Sequence, residues 1–533
     1  MKKIYYLVVP VFLLLVTGGC KKSFSDLYQN PNKPASVPPS ILFNGVLTNL
    51  VEIPSSASGP TNSNEIWDQY YIYNYDYYGN NRYEFGAATS YYGTLENVVR
   101  MEQEAVKLGV SPNNPYSALG KFFRAFFFIK MSMQLGDIPM TQALAGIANL
   151  TPAYDPQKKV FQQCLAWLDS ANTQLAGLIT SKDNSLSGDI FYKNDLKKWQ
   201  KAVNSYTVRV LLHLSKKTAD ADLNVAQHFA AILGDPAKYP LMENASDNLE
   251  YVFVTPSNFY PDNANNFGQT GSRKNMSATH VGLLTQLNDP RVFVVAEPCR
   301  YQVDTLHKSP TDVTSFVGAD PALDLGIMYN NAGLQRYSFL NRKRYFSGYT
   351  AENAIQVGYA EQCFNIAEGI NRGWYSTGNA EDYYKAGIRA SLDFYGIPSA
   401  GGAFTAYFYR PGSTDVTSNL NYDTHSIPFD WNTFYNQAGV KYDGNTATGL
   451  TQILQQKYLA LFRQSDLEAY YTYRLTGVPA FSTGPGTGNS NRIAMRFKYP
   501  GTESAANTKN YQAALQSQYS GNDDINAIMW LLK

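Results

Sequence analysis

The chain has 533 residues, a formal net charge of +1 and only 16% charged residues, against about 25% in an average soluble domain. So neutral a chain argues against a nucleic-acid-binding protein, which needs a basic face to neutralise phosphates. The polar surface must come instead from the 41 Tyr and the many Asn, Ser and Thr. That composition suits neutral polyhydroxyl ligands, because a tyrosine ring stacks while its hydroxyl bonds, although most of these tyrosines are expected in the core.

Lys2 and Lys3 precede an apolar run over residues 4–16 that Pro10 interrupts. The run is too short to span a bilayer of ~30 Å, and it reads as a secretory signal over residues 1–19. Thr17, Gly18, Gly19 and Cys20 resemble a lipobox, in which the Cys thiol is acylated and becomes the new amino terminus. Thr17 stands where that motif usually has Leu, and the alternative is an ordinary signal peptide with Cys20 as an accident. Acylation at Cys20 would anchor the chain to a membrane without spanning it. Residues 20–39 then form the lipidated terminus and a proline-rich tether, and residues 40–533 form one helical domain. With Cys20 lipidated, Cys164, Cys299 and Cys363 cannot all pair within the chain. Cys164 and Cys363 lie on apolar helical stripes, and no Cys/His metal spacing occurs.

A first helix is expected over residues 40–51. Residues 64–82 are the most aromatic stretch, with a helical first half and a turn at Gly79, Asn80 and Asn81. Residues 95–108 read as helix. A helical hairpin starts at Tyr116 with Leu119, Phe122, Phe123, Phe126 and Met133 on one face and Gly136 at its end. Asp155 and Pro156 are placed as N-cap and first helical residue of its second arm, whose stripe is Val160, Cys164, Leu168, Ala171 and Leu175. A second pair covers residues 195–215 and 223–233. A third covers residues 357–396, with stripes Val357, Ala360, Phe364, Ala367, Ile370 and then Ala380, Tyr384, Ile388, Leu392, Tyr395. Asn379 is placed to cap the last arm and Gly396 to end it, and Ala360 and Ala367 are small enough for close approach of the two backbones. Three such pairs suffice for a stacked array. The fold class is therefore mainly α, built of tetratricopeptide-like helical hairpins with long irregular loops and a few short strands. The long loops are residues 234–350 and 397–445, rich in Asn, Asp, Pro and Gly. Helix returns over residues 453–473, a Gly-rich loop follows at residues 484–488, and a short helix ends the chain near Leu532.

Recognisable catalytic motifs are missing: there is no HExxH, no GxSxG and no GxxxxGK[ST]. The run from Asp183 resembles a calcium loop but has Asn194 where a Glu ligand belongs. The five His are scattered, His213 and His228 on helices and the others in loops, and none is read as a ligand. No metal and no cofactor is expected. Paired carboxylates for glycosidic cleavage are not marked out by any spacing.

The candidate ligand contacts are Tyr75, Tyr77 and Tyr78 beside Asn80, Asn81 and Arg82, with Trp67 upstream. Flat rings next to amide and guanidinium donors suit sugar, whose C–H faces stack while its hydroxyls bond to planar polar groups. The competing reading is that Trp67 and about half of the tyrosines fill the first helical layer. Trp374 in the turn of the third pair, and Tyr260, Asn266 and Arg273 in the long loop, are further candidates.

Several short motifs, in order along nearly the whole mature chain, resemble the SusD/RagB family of Bacteroidota outer-membrane lipoproteins. They are Asp26-Leu27, Asn30-Pro31-Asn32, Gly136-Asp137-Ile138-Pro139, Tyr154-Asp155-Pro156-Gln157, Lys198-Trp199, Asn204-Ser205 with Arg209, and Leu287-Asn288-Asp289-Pro290-Arg291. Ala360-Glu361, Ala367-Glu368, Gln456-Lys457-Tyr458, Arg474-Leu475-Thr476-Gly477 and Tyr499-Pro500 complete the series. Leu475 stands where family members often carry a second Arg. The resemblance implies a helical, surface-displayed nutrient binder that pairs with a SusC-like TonB-dependent outer-membrane transporter and captures glycan without cleaving it. It also points to aromatics of an early loop as ligand contacts. Peptide binding on the same scaffold, a secreted glycoside hydrolase, and a purely structural partner of the transporter are the alternatives.

Overall fold

A computed structural model describes residues 36–51, 63–75, 80–109, 111–462 and 465–533. The expected signal, Cys20, most of the tether, Tyr77 and Tyr78 lie outside the described residues. Helices α1 (Pro39–Leu50), α2 (Tyr92–Lys107), α3 (Pro115–Leu135), α4 (Gln157–Thr180), α5 (Leu196–His213) and α6 (Val225–Gly234) follow in order, each packed on the next. Residues 235–358 then make a long excursion that carries α7 (Ala278–Gln286) and α8 (Leu325–Gly333). The chain returns as α9 (Tyr359–Asn371), which docks on α5 and pairs with α10 (Ala380–Phe394). Helix α11 (Ala447–Ala460) packs on both. Short α12 (Glu468–Thr476) reaches back to α5, and α13 (Thr508–Tyr519) follows near the end. The three expected hairpins are thus α3/α4, α5/α6 and α9/α10, and the mainly helical class holds.

Local chemistry sets the ends. Asn114 and Ser117 form a reciprocal capping box on α3, Asp195 caps α5, and Asn379 accepts from the Glu381 N–H at the start of α10. Trp199 of α5 is fully buried among Phe43, Phe122 and Phe123, whose ring centroids lie 5.9–6.2 Å from its own. The α9/α10 contact is tightest at glycines. A Cβ on Gly387 would sit 2.8 Å from the Phe364 ring. Ala367 is buried as expected, but Ala360 is half-buried and lines a recess described below.

Several expectations are corrected. Val357 does not begin the helix: it ends a strand, β4 (Ala354–Val357), that pairs antiparallel with β2 (Leu249–Tyr251), so the excursion opens and closes on one ribbon. Asp155 does not cap α4. Pro156 is the N-cap residue, and the Asp155 carboxylate accepts instead from the N–H groups of Met140 and Thr141. The N–H of Gln157 goes to Asp137 at 2.8 Å, so the two motifs at residues 136–139 and 154–157 clasp each other. The helix expected over residues 453–473 is two, α11 and α12. The second long loop contains a hairpin of β5 (Gly402–Tyr409) and β6 (Tyr422–Phe429). Its period of two was hidden because the outward residues Ala403 and Tyr407 are themselves apolar, like the inward Phe404, Ala406 and Phe408. His280 lies on α7, not in a loop, and is buried.

Three of the remaining short motifs supply buried arginines, Arg209, Arg291 and Arg474, that clip elements together. Arg209 of α5 forks onto Glu361 of α9, with Nε 2.6 Å from Oε1. Fully buried Arg291 holds Asp289, with Nη2 to Oδ2 at 2.6 Å, and also reaches Gln456 of α11 at 2.6 Å. Arg474 donates to the carbonyls of Met495 and Met133. Such pairs contribute little net stability, since desolvation offsets the attraction. Each nevertheless fixes one register between elements, because a misplaced partner would leave a charge buried and unpaired.

Candidate functional site

Among the described residues the aromatic stretch makes a short helix at Ser63–Trp67 and then strand β1 (Tyr71–Tyr73), all of whose residues are buried. Tyr70 just before it is stacked on Tyr458 of α11 (centroids 4.7 Å, 20°) and donates to that residue's carbonyl at 2.8 Å. The competing core reading is correct for these tyrosines. Strand β1 pairs antiparallel with β3 (Lys274–Met276), with Tyr73 opposite Lys274. This pairing draws the long excursion onto the early aromatic segment. Buried Lys274 pins the excursion further, 3.1 Å from the Asp262 carboxylate and over the Tyr71 ring.

One consequence is a meeting that sequence distance conceals. Tyr75, just past β1, lies under the Arg273 guanidinium, 4.7 Å from ring centroid to Cζ. The Tyr329 ring of α8 sits 5.4 Å from the Tyr75 ring at 38°. Tyr329 is 49% exposed and Tyr75 is half-buried, so two rings and a guanidinium form an open platform on a hydrogen-bonded base. Helix α8 positions Tyr329 because Met328 and Ala332 bury one face in a small cluster with Ile72 of β1 and Tyr337, which turns Ile327 and Tyr329 outward. Asp324 caps the helix through the Gly326 N–H. Tyr77 and Tyr78, outside the described residues, follow Tyr75 after Asp76 in sequence.

The other candidates divide. Asn80 and Arg82 are exposed. The Asn80 side chain accepts from the Arg82 N–H at 2.9 Å, and Arg82 pairs with Glu84 at 3.6 Å on the open surface. Asn81, by contrast, is buried. Its amide accepts from the Tyr73 N–H at 2.8 Å and donates to the Tyr73 carbonyl at 2.9 Å, which completes the free side of β1. That use removes Asn81 from the ligand set. Trp67 is half-buried against Phe85 and Phe497, and its Nε1 donates to the Arg82 carbonyl at 3.1 Å. It supports the loop from beneath. Tyr260 is corrected as well: it is fully buried, edge-on to Phe253 at 5.1 Å. Asn266 turns its amide onto its own loop, donating to the Pro261 carbonyl and accepting from the Asn263 N–H. Trp374 packs edge-on against Phe229 at the α9/α10 turn.

Of the predicted residues, the platform therefore brings together Tyr75 and Arg273, while Asn80 and Arg82 stay exposed in the loop that follows. Tyr329 was missed by sequence reasoning, although its signal was present: the i, i+4 pair Met328 and Ala332 predicts a helix whose opposite face is aromatic. What the arrangement can do is stack and hydrogen-bond. Among the described residues no group of three His, Cys, Asp or Glu is placed to hold a metal ion, and no helix is long and apolar enough to cross a membrane.

The chain matches the SusD-like family model described as starch-binding and associating with the outer membrane, over residues 31–500. Among solved structures, a SusD homologue from Bacteroides fragilis is 29% identical with a TM-score of 0.78, covering 93% of this chain and 100% of its own. A second SusD homologue from that species is 28% identical with a TM-score of 0.74 and the same coverage. A chitin-binding SusD homologue from Flavobacterium johnsoniae is 20% identical with a TM-score of 0.68, covering 93% and 98%, a likeness of fold alone. No curated protein matches the chain.

Proposed function

The chain belongs to the SusD-like family of outer-membrane starch-binding proteins, and from that premise we propose that it captures glycan on the Tyr75–Tyr329–Arg273 platform and hands it, uncleaved, to a SusC-like TonB-dependent transporter. In this reading Cys20 carries the lipid that holds the protein at the outer membrane, on the cell surface. The observation that supports it most is the platform itself: two exposed-edge rings and a guanidinium on a base fixed by the β1–β3 ribbon and α8. A sugar ring laid on Tyr329 or Tyr75 contributes about 0.5–1.5 kcal/mol beyond its burial, by analogy with aromatic pairs. Two rings then supply modest affinity for one sugar, and repeated units of a polymer raise it by rebinding at high local concentration. Asn80, Arg82 and Arg273 supply planar donors for hydroxyls at the edge, and Tyr77 and Tyr78 are proposed to extend the aromatic surface. Binding of chitin by the Flavobacterium johnsoniae homologue puts chitin beside starch among the first polymers to test.

The body of the protein is to be run through native gels containing plant, host and microbial polysaccharides, and the same mixtures analysed for cleavage products. Retardation without products is the expected result, weakened in Tyr75→Ala and Tyr329→Ala. Products would replace the binder with a hydrolase. No retardation by any glycan, with binding of peptides in a parallel screen, would move the ligand class to peptide.

A further inference from the structure

A recess of about 700 Å³ lies between α9, α10 and the β2–β4 ribbon, and it shares no residue with the Tyr75 platform. Its size falls within the ~300–1,000 Å³ of ordinary small-molecule sites. Small residues leave the space open: Ala360 on α9, and Ala386 and Ala390 on α10.

The polar lining is held in a fixed frame. On the ribbon side the Glu250 carboxylate accepts from the amides of Asn353 at 2.8 Å and Asn248 at 3.3 Å. Asn248 Oδ1 in turn accepts from the Tyr359 N–H at 2.8 Å, locking the ribbon to the start of α9. On the α10 side Arg389 lies 3.8 Å over the Trp431 ring and donates to the Ser399 carbonyl at 2.8 Å, while Asp393 accepts from the Ser399 hydroxyl at 2.9 Å. Planar amide, carboxylate and guanidinium groups thus face one space from two rigid walls, with Tyr359 and Phe394 as apolar surface between them. Preorganised groups of this kind bind with little ordering cost.

Charge narrows the ligand class. Glu361 is neutralised by Arg209, which leaves Glu250 and Asp393 against the single cation Arg389 among the lining residues. Carboxylate and phosphate ligands are repelled, and a short peptide brings a terminal carboxylate into the same field. Hydroxyls suit planar acceptors and donors spaced around apolar faces. We propose that this recess is a second binding site, for a neutral oligosaccharide of two or three sugar units, separate from the surface that retains polymer.

The test is calorimetric titration of the mature chain with maltose, cellobiose, lactose, maltotriose and cellotriose, alongside galacturonate oligomers. At least one neutral saccharide is expected to bind, and the uronates not to. Ala386→Phe, which fills the recess, should weaken that binding by about tenfold or more, and Asn353→Ala by several-fold. Both should leave polysaccharide retardation in native gels unchanged, whereas Tyr329→Ala should show the reverse pattern. Should Ala386→Phe fail to fold, Asn353→Ala and amide exchange of the unmodified protein carry the test, with saccharide-dependent protection expected at residues 353–360 and 386–394. Absence of heat with every neutral saccharide at tens of millimolar, preferential binding of uronates, or binding that both variants leave intact would overturn the assignment.

Discussion

Replacing Gly369 with Ala sets two physical effects against each other. Gly369 lies inside α9, where Ala is favoured over Gly by about 0.8–1.0 kcal/mol from helix propensity alone. The structure opposes this gain. A Cβ at that position would stand 2.5 Å from Cε2 and 2.7 Å from Cε1 of Phe229, where carbon pairs prefer ~3.5–4.0 Å. Phe229 Cζ stands nearer still, and Phe229 of α6 is fully buried, edge-on to Trp374 at 5.5 Å, so its ring must retreat by more than an ångström into packed surroundings, at a cost of ~1–3 kcal/mol. The overpacking term wins, and the expected net loss reaches ~2 kcal/mol at the upper end. In a chain of this length the unfolding entropy is about 1 kcal/mol per kelvin, so the melting shift is only ~2 °C. Urea unfolding of the single and double variants is therefore the better assay. Phe229→Leu alone should destabilise through the volume it vacates, and Gly369→Ala combined with Phe229→Leu should lose less than the sum of the two. A Gly369→Ala protein more stable than the parent would refute the close packing of α6 on α9.

Three further outcomes are expected. Tyr329→Ala should weaken binding of a retained polysaccharide by about 2- to 12-fold, the range that a single stacked ring supplies, measured by affinity electrophoresis. Arg291→Met should cost ~3–5 kcal/mol in urea unfolding because it strands the buried Asp289 carboxylate, and Arg291→Lys should rescue little since one ammonium cannot replace the fork to Asp289 and Gln456. Burial, with repulsion from Asp155 adding to it and the Gln157 N–H opposing it, pushes the Asp137 carboxyl up to about 6 from 3.8. The folded state therefore holds this proton more tightly than the unfolded chain. Its contribution is present in full below about pH 4 and disappears as the pH rises through about 6, an effect of order 3 kcal/mol. Asp137→Asn keeps an oxygen for the Gln157 N–H, so urea unfolding at pH 4.5 and 7 should find the variant gaining on the parent as pH rises, and a constant difference would refute the shift.

The helical array was readable because its information is local. Val160, Cys164, Leu168, Ala171 and Leu175 recur at helical spacing whatever lies beside them, and Asn379 and Gly396 mark ends by their own backbone chemistry. All five of those apolar residues are fully buried in α4, and Asn379 caps α10. The failures fall where the deciding partner is distant. Asp155 has the sequence of a cap but serves residues 140 and 141 across a loop, and the outward Ala403 and Tyr407 of β5 hide a strand period because they are apolar like its inward residues.

The sequence by itself determined that this chain is a near-neutral, tyrosine-rich helical array, since periodicity, caps and composition act within a few residues. Which tyrosines are left accessible was decided only by tertiary structure. Tyr70, Tyr71 and Tyr73 disappear into the core while Tyr75 stays at the surface, because β3, two hundred residues later in the chain, pairs with β1 and carries Arg273 and the excursion bearing Tyr329 to its side. A ring's exposure depends on what covers it, and the covering segments here are far away in sequence.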